Sequence, residues 1–194
     1  SDFLTSDLAS FGVGELIYVM GGYDQNYTEA VNTTFSIKTD QPLSESTLTV
    51  QKLTDLKHAR GDAHVGVANG QAYLIGGFTH VDDYCEALDT VERYDWVENT
   101  WSTADELQYR RGDKAVVVID NTKIYAIGGE SNTDCTGPGQ RTTPTTEVEV
   151  LDTSEENPVW REEVADLPDD HFRFSAVAVG TTIFTFGGQQ FYNG

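Results

Sequence analysis

Four short apolar runs in this chain end in paired glycine: Leu16–Gly22, Ala72–Gly77, Lys123–Gly129 and Ile183–Gly188. Their first glycines, Gly21, Gly76, Gly128 and Gly187, are separated by 55, 52 and 59 residues. A period of this size marks one supersecondary unit copied in tandem. A single copy cannot bury both of its faces, so the fold must stack neighbours.

The rest of the unit recurs as well. An apolar run precedes three of the diglycines, at Ala63–Ala68, Ala115–Ile119 and Ser175–Val179. The two runs are joined by Asn69-Gly70, Asp120-Asn121-Thr122 or Gly180-Thr181, which predicts a hairpin. A polar loop follows each diglycine. Thr90–Asp95 then matches Thr146–Asp152, and its alternation predicts a half-buried third strand. A fourth strand starts at Trp101 or Trp160 and closes on Ala104–Leu107 or Ala165–Leu167. In the first unit Val50 holds the Trp position and Leu53–Leu56 closes the strand.

Each unit therefore reads as four antiparallel strands, a to d. That is one twisted blade of an all-β propeller. The diglycines (Gly21, Gly22, Gly76, Gly77, Gly128, Gly129, Gly187 and Gly188) let the backbone turn tightly or approach a neighbour. Trp101 and Trp160 are expected to pack between blades.

The apolar run with Gly-Gly, the pair Tyr94-Asp95 and Trp101 six residues later resemble the kelch repeat. Leu151 departs from the pattern, standing where tyrosine is usual. The resemblance covers nearly the whole chain. It implies a kelch-type β-propeller, with blades at about 6–56, 57–107 and 108–167 and a half-blade at 168–194. Kelch rings typically close with six or seven blades. This chain is thus expected to be an incomplete ring, its remaining blades coming from missing sequence or from another chain.

Antiparallel order puts the b–c and d–a loops on one face of the disc and the short a–b turns on the other. The b–c loops are long, at Tyr23–Ala30, Phe78–Leu88 and Glu130–Thr145. Long loops on a rigid scaffold carry binding. The expected binding face comprises Arg60, Asp62, Phe78, Arg111, Asp113, Glu130, Arg173 and Gln189. Arg60-Gly61-Asp62 and Arg111-Gly112-Asp113 resemble a cell-adhesion tripeptide, but their equivalent repeat positions explain them without adhesion. The kelch resemblance implies that arginines at this place contact acidic peptides. The alternative is local charge balance by Asp62, Asp113 and Asp170.

Enzymes on kelch-like propellers need constellations that are hard to assemble here. A copper radical oxidase needs a Tyr–Cys crosslink with histidine ligands, and Tyr84-Cys85 has only His80 in its loop. An iron-dependent specifier-type site needs Glu, Asp and His four apart. Glu130 and Asp134 fit, but Pro138 holds the histidine position. His58, His64, His80 and His171 are scattered across repeats, so no metal site is assigned. Asp82-Asp83 and Asp169-Asp170 suit weak calcium at most. No cofactor is expected.

Net charge is −20, from 32 acidic and 12 basic residues. That argues against nucleic acid and anionic membranes and for cationic partners. The uncharged run Phe174–Gly194 is broken by Gly and Gln and reads as strand–turn–strand rather than a membrane insertion. The chain opens on Ser1, as a processed or partial product would. Cys85 and Cys135 fall in adjacent b–c loops and are candidates for a disulfide. Asn26 and Asn32 head N-glycosylation sequons. These features together tilt the reading toward a secreted or luminal protein, with a cytoplasmic one as the alternative.

Three functions follow as expectations. The first is a non-catalytic interaction scaffold that binds a protein or glycan through the b–c/d–a face. The second is a sugar-processing or oxidase-type kelch enzyme whose site is completed by missing blades. The third is a structural accessory subunit of a larger assembly.

Overall fold

The computed structural model describes residues 5–39, 49–79, 87–131, 143–162 and 164–190. The described residues are all-β, and no helix long and apolar enough to cross a membrane occurs among them. Three four-stranded antiparallel sheets and a two-stranded one follow each other along the chain, and a second two-stranded ribbon is inserted in the third. The first holds β1 (Ala9–Val13), β2 (Leu16–Met20), β3 (Thr34–Lys38) and β4 (Val50–Lys52). The second holds β5 (His64–Ala68), β6 (Gln71–Ile75), β7 (Val91–Asp95) and β8 (Thr100–Thr103). The third holds β9 (Ala115–Ile119) and β10 (Lys123–Ile127), then, beyond a short ribbon of β11 (Glu130–Ser131) and β12 (Thr143–Pro144), β13 (Val148–Asp152) and β14 (Trp160–Arg161). The fourth is the hairpin β15 (Ser175–Val179) and β16 (Thr182–Phe186).

The hairpin turns follow from local chemistry. Asn69 and Gly70 join β5 to β6 with φ of 48° and 73°. Two positive φ values match the strand twist and suit Asn-Gly. Asp120 and Asn121 adopt the same left-handed region in the third blade. The first strands contact one another in turn, β1 with β5, β5 with β9 and β9 with β15, so they lie innermost.

Apolar clusters fill the spaces between consecutive sheets. Phe11, Tyr18 and Met20 of the first blade pack on Leu74, Tyr94 and Trp101 of the second. Tyr73, Ile75 and Val91 pack on Ile124, Leu151 and Trp160 of the third. Val117, Ile119 and Ile127 pack on Ala176, Ala178 and Ile183 of the fourth. Leu151 replaces tyrosine without breaking the pattern, because it needs only to fill this space. The tryptophans also carry a polar link across the gap. The Trp101 indole N–H donates to the Thr54 carbonyl at 3.1 Å, and that of Trp160 donates to the Asp105 carbonyl at 3.2 Å. Both acceptors lie at the end of strand d in the preceding blade, so the two links are equivalent.

The diglycines lie where blades touch. Gly21, Gly76 and Gly128 have φ between 54° and 64°, and a Cβ on each would strike the carbonyl of Arg60, Arg111 or His171 in the next blade. The following glycines donate to those same carbonyls, Gly22 to Arg60 at 2.8 Å, Gly77 to Arg111 at 3.1 Å and Gly129 to His171 at 2.8 Å. Each pair is thus a socket for the next blade's backbone.

Candidate functional site

The residues that enter strand a share one backbone conformation in all four blades. Asp7, Asp62, Asp113 and Arg173 have φ of 51°, 52°, 49° and 54°. Their peptides are joined in series. The Asp62 N–H donates to the Asp7 carbonyl at 3.1 Å, that of Asp113 to Asp62 at 3.2 Å, and that of Arg173 to Asp113 at 2.9 Å. This belt crosses from blade to blade beside the innermost strands.

Three carboxylates follow the belt. Asp7, Asp62 and Asp113 line a cavity of about 410 Å³ together with His64. Tyr23 Oη donates to Asp62 at 2.9 Å. Burial, and then the Asp113 charge, push the Asp62 carboxyl up to about 7. Burial beside Lys114 holds His64 down at about 4. Arg173 answers the charge on one side, with Nε 2.9 Å from Asp113 Oδ2 and Nη2 3.4 Å from Glu130 Oε1.

Arg60 and Arg111 are not part of a solvent-facing rim; the structure buries both completely. Arg60 donates to the carbonyls of Gly76 and Thr90 and to Glu92 at 2.9 Å. Arg111 pairs with Glu149 at 3.0 Å. Of the expected local carboxylates, Asp113 balances Arg173 at 2.9 Å, but Arg60 and Arg111 pair with Glu92 and Glu149 instead of Asp62 or Asp170. Each arginine enters the blade and meets a carboxylate of strand c, whereas Asp62 bonds Tyr23, and Arg173 reaches the preceding blade. Phe78 and Glu130 are buried too. The Phe78 ring fills the space over Gly112, where any Cβ would run into it, and Tyr23 does the same over Gly61. The glycine of each Arg-Gly-Asp is therefore a packing requirement. Of the expected face residues, Arg173 and Gln189 remain exposed.

Lys114 was not singled out by its sequence. It lies fully buried, with Nζ 2.6 Å from the Ile75 carbonyl. Burial, with Arg111 and Arg60 nearby, holds its amine well below the usual lysine range. Ala63 takes the equivalent place one blade earlier, so repeat comparison alone marks the position as unusual.

Asn26 is exposed, whereas Asn32 donates its amide to the Leu56 carbonyl at 3.4 Å. Cys85, Cys135, His80 and Asp82-Asp83 lie outside the described residues. Among the described residues, no group of three or more His, Cys, Asp or Glu is placed to hold a metal ion.

Comparison with known proteins agrees with this geometry. The Kelch motif family model matches residues 59–108, which span the second blade. An F-box/kelch-repeat protein of Arabidopsis thaliana is 30% identical over 120 residues, covering 61% of this chain and 27% of its own length. The Kelch-like protein terF of Aspergillus terreus is 28% identical over 184 residues, covering 93% of this chain and 38% of its own. Kelch-like protein 35 of Homo sapiens is 28% identical over 127 residues, 66% of this chain and 19% of its own. The chain thus spans well under half the length of these relatives. The solved structure of YjhT superposes on 95% of this chain and 59% of its own, with a TM-score of 0.76 and 19% identity, which shows a shared fold. Recurrent diglycine sockets, inter-blade tryptophans, the Kelch motif over residues 59–108 and the shared fold together show a chain that folds as a kelch-type β-propeller, with three four-stranded blades and a fourth hairpin.

Proposed function

We propose that the chain is a non-catalytic interaction scaffold that engages a protein or glycan partner through the face bearing its b–c and d–a loops. The observation that carries this is the asymmetry of the disc. One face holds the a–b turns, two or three residues long as at Gly14-Glu15 and Asn69-Gly70, together with c–d connections such as 96–99 and 153–159. The other carries the long b–c connections and exposes Tyr27, Tyr109, Arg173 and Gln189. Aromatic side chains offered on rigid supports supply contact area at low entropic cost. Since Arg60 and Arg111 are committed inside their blades, contact falls to the loops themselves.

A photo-crosslinking amino acid at Tyr27, Tyr109 or Gln189 is expected to trap one partner that the same group at Glu15 or Thr181 does not. Equal trapping from both faces, or trapping only from the turn face, would reject this reading. We further propose a secreted or luminal setting, supported by the exposure of Asn26 in its sequon. A mass unchanged by glycan removal in material from the natural source would count against it.

The fourth sheet supports a second, compatible reading, in which further blades cover it. Val177, Val179, Phe184 and Phe186 stand on one face of the hairpin and are 48%, 65%, 46% and 59% exposed. Around Gly187 no described atom lies within 4 Å of a built Cβ, whereas the three earlier sockets are filled. The pattern of the preceding blades supports occupation of this place by the same kind of unit.

A further inference from the structure

The loop face carries a second cleft, away from the belt of aspartates. It has a volume of about 500 Å³ and lies between the second and third blades. Asp89, Tyr109 and Arg110 form one wall, and Ser131, Thr145 and Glu147 the other. Two polar atoms on this second wall, Ser131 Oγ and Glu147 Oε2, are enclosed and make no hydrogen bond. An enclosed acceptor without a donor is costly to keep, so its persistence asks for a purpose.

Repeat comparison shows that Glu147 is a departure. The pairings Met20 with Thr34, Ile75 with Val91 and Ile127 with Val148 make Thr33, Thr90 and Glu147 equivalent. In the second blade, Thr90 Oγ1 accepts from Arg60 at 3.0 Å and closes that arginine's network. In the third, a carboxylate stands in its place and leaves the network open, with Arg111 Nε and Nη1 also unbonded. A local rule broken without compensation inside the fold is expected at a functional position.

The local charge decides what fits. Two cations stand near the cleft, Arg110 paired with Asp89 at 3.3 Å and Arg111 paired with Glu149 at 3.0 Å, and Arg111 also feels the charges of Glu147 and Glu162. That leaves Glu147 and the exposed Glu162, which sits against the Tyr109 hydroxyl. The surplus is negative, in a chain whose net charge is −20. The Tyr109 ring is 41% exposed at the mouth and offers a face on which a cation can rest.

We propose that this cleft takes a basic side chain of a partner protein, its ammonium or guanidinium group held by the Glu147 carboxylate and flanked by Tyr109. The proposal rests on the reading of the loop face as the contact face. It adds the position and the chemistry of one anchor.

The test is a nuclear magnetic resonance titration of the whole chain with Nα-acetyl-lysine amide and Nα-acetyl-arginine amide. Nα-acetyl-norleucine amide and methyl glucoside serve as uncharged controls. Saturating shifts are expected at the amides of Ser131, Thr145 and Glu147 with the basic probes only. Glu147→Gln should weaken them about tenfold or more. Tyr109→Leu, at an exposed position, provides a second variant should the first not fold, and should weaken binding in the same direction. Shifts spread evenly over the acidic surface, shifts unchanged in both variants, or a response to the glucoside alone would overturn the proposal. If loop-face crosslinking succeeds while the cleft stays silent, the cleft is refuted and the scaffold reading stands.

Discussion

The Arg60 guanidinium and the Glu92 carboxylate meet at 2.9 Å with both side chains shut away from solvent. Glu92 also accepts the backbone N–H groups of Lys57 and His58, at 2.8 and 3.1 Å. One carboxylate thereby fastens the d–a loop and strand c of the same blade. Removing one partner of such a pair strands a buried charge, at a cost of about 3–5 kcal/mol. Arg60→Met should lower stability by about that much in urea unfolding. Arg60→Met/Glu92→Gln should cost clearly less than the two single changes added together. Additive losses would mean that the two groups are not coupled.

The glycines of the two Arg-Gly-Asp tripeptides should be far more sensitive than those of the turns. Gly112→Ala pushes a methyl group into the Phe78 ring and should cost about 1–3 kcal/mol. Gly70 has open space around it, and only its φ of 73° resists a side chain. Gly70→Asn should therefore be nearly neutral, since Asn tolerates the left-handed region. The melting temperatures of the two variants provide the comparison.

Asp62 should make stability depend on pH. Its carboxyl is raised to about 7 in the folded chain, by burial and then by Asp113, from an ordinary value of 3.8. Between those values the folded state binds the extra proton, so the contribution of Asp62 to stability falls as pH rises from about 4 to about 7. His64, held near 4, contributes the opposite slope between about 4 and 6.5. Asp62→Asn isolates the first effect and keeps a residue that accepts positive φ. The variant should be more stable than the parent at pH 8, by on the order of 1 kcal/mol or more. The gain should shrink toward pH 4. A difference independent of pH would show that the carboxyl does not titrate in this range.

How far the sequence could be read depends on the range of the interactions. The diglycine spacing, the hairpin turns and the two tryptophans all act through neighbours in the repeat, and strand positions follow from them closely. The fate of Arg60 does not. Its partner Glu92 is 32 residues away, and only the docking of a d–a loop onto strand c brings them together. Phe78 reads as a loop aromatic until Gly112 of the next blade closes over it. The b–c loop of the third blade reads as polar and irregular, yet it begins and ends in the β11–β12 ribbon. Glu147 was visible as a departure from Thr90 only once the strand register aligned the two.

The apolar face of the β15–β16 hairpin should drive association of the isolated chain. Val177→Lys/Phe184→Lys places two charges on that face, where neither side chain is packed. Sedimentation velocity should show less self-association for the variant, while the melting temperature changes little. Association that persists would point to another surface.

The belt of peptides through Asp7, Asp62, Asp113 and Arg173 has a direction, since every amide looks back to the carbonyl one blade earlier. At this belt a repeat is therefore joined to its predecessor through main-chain atoms, whatever side chain it carries there. Arg173 holds the same link as three aspartates. Side chains at the centre of the disc are free to diversify from copy to copy, and a duplicated repeat would find its place by splicing one more link into the series.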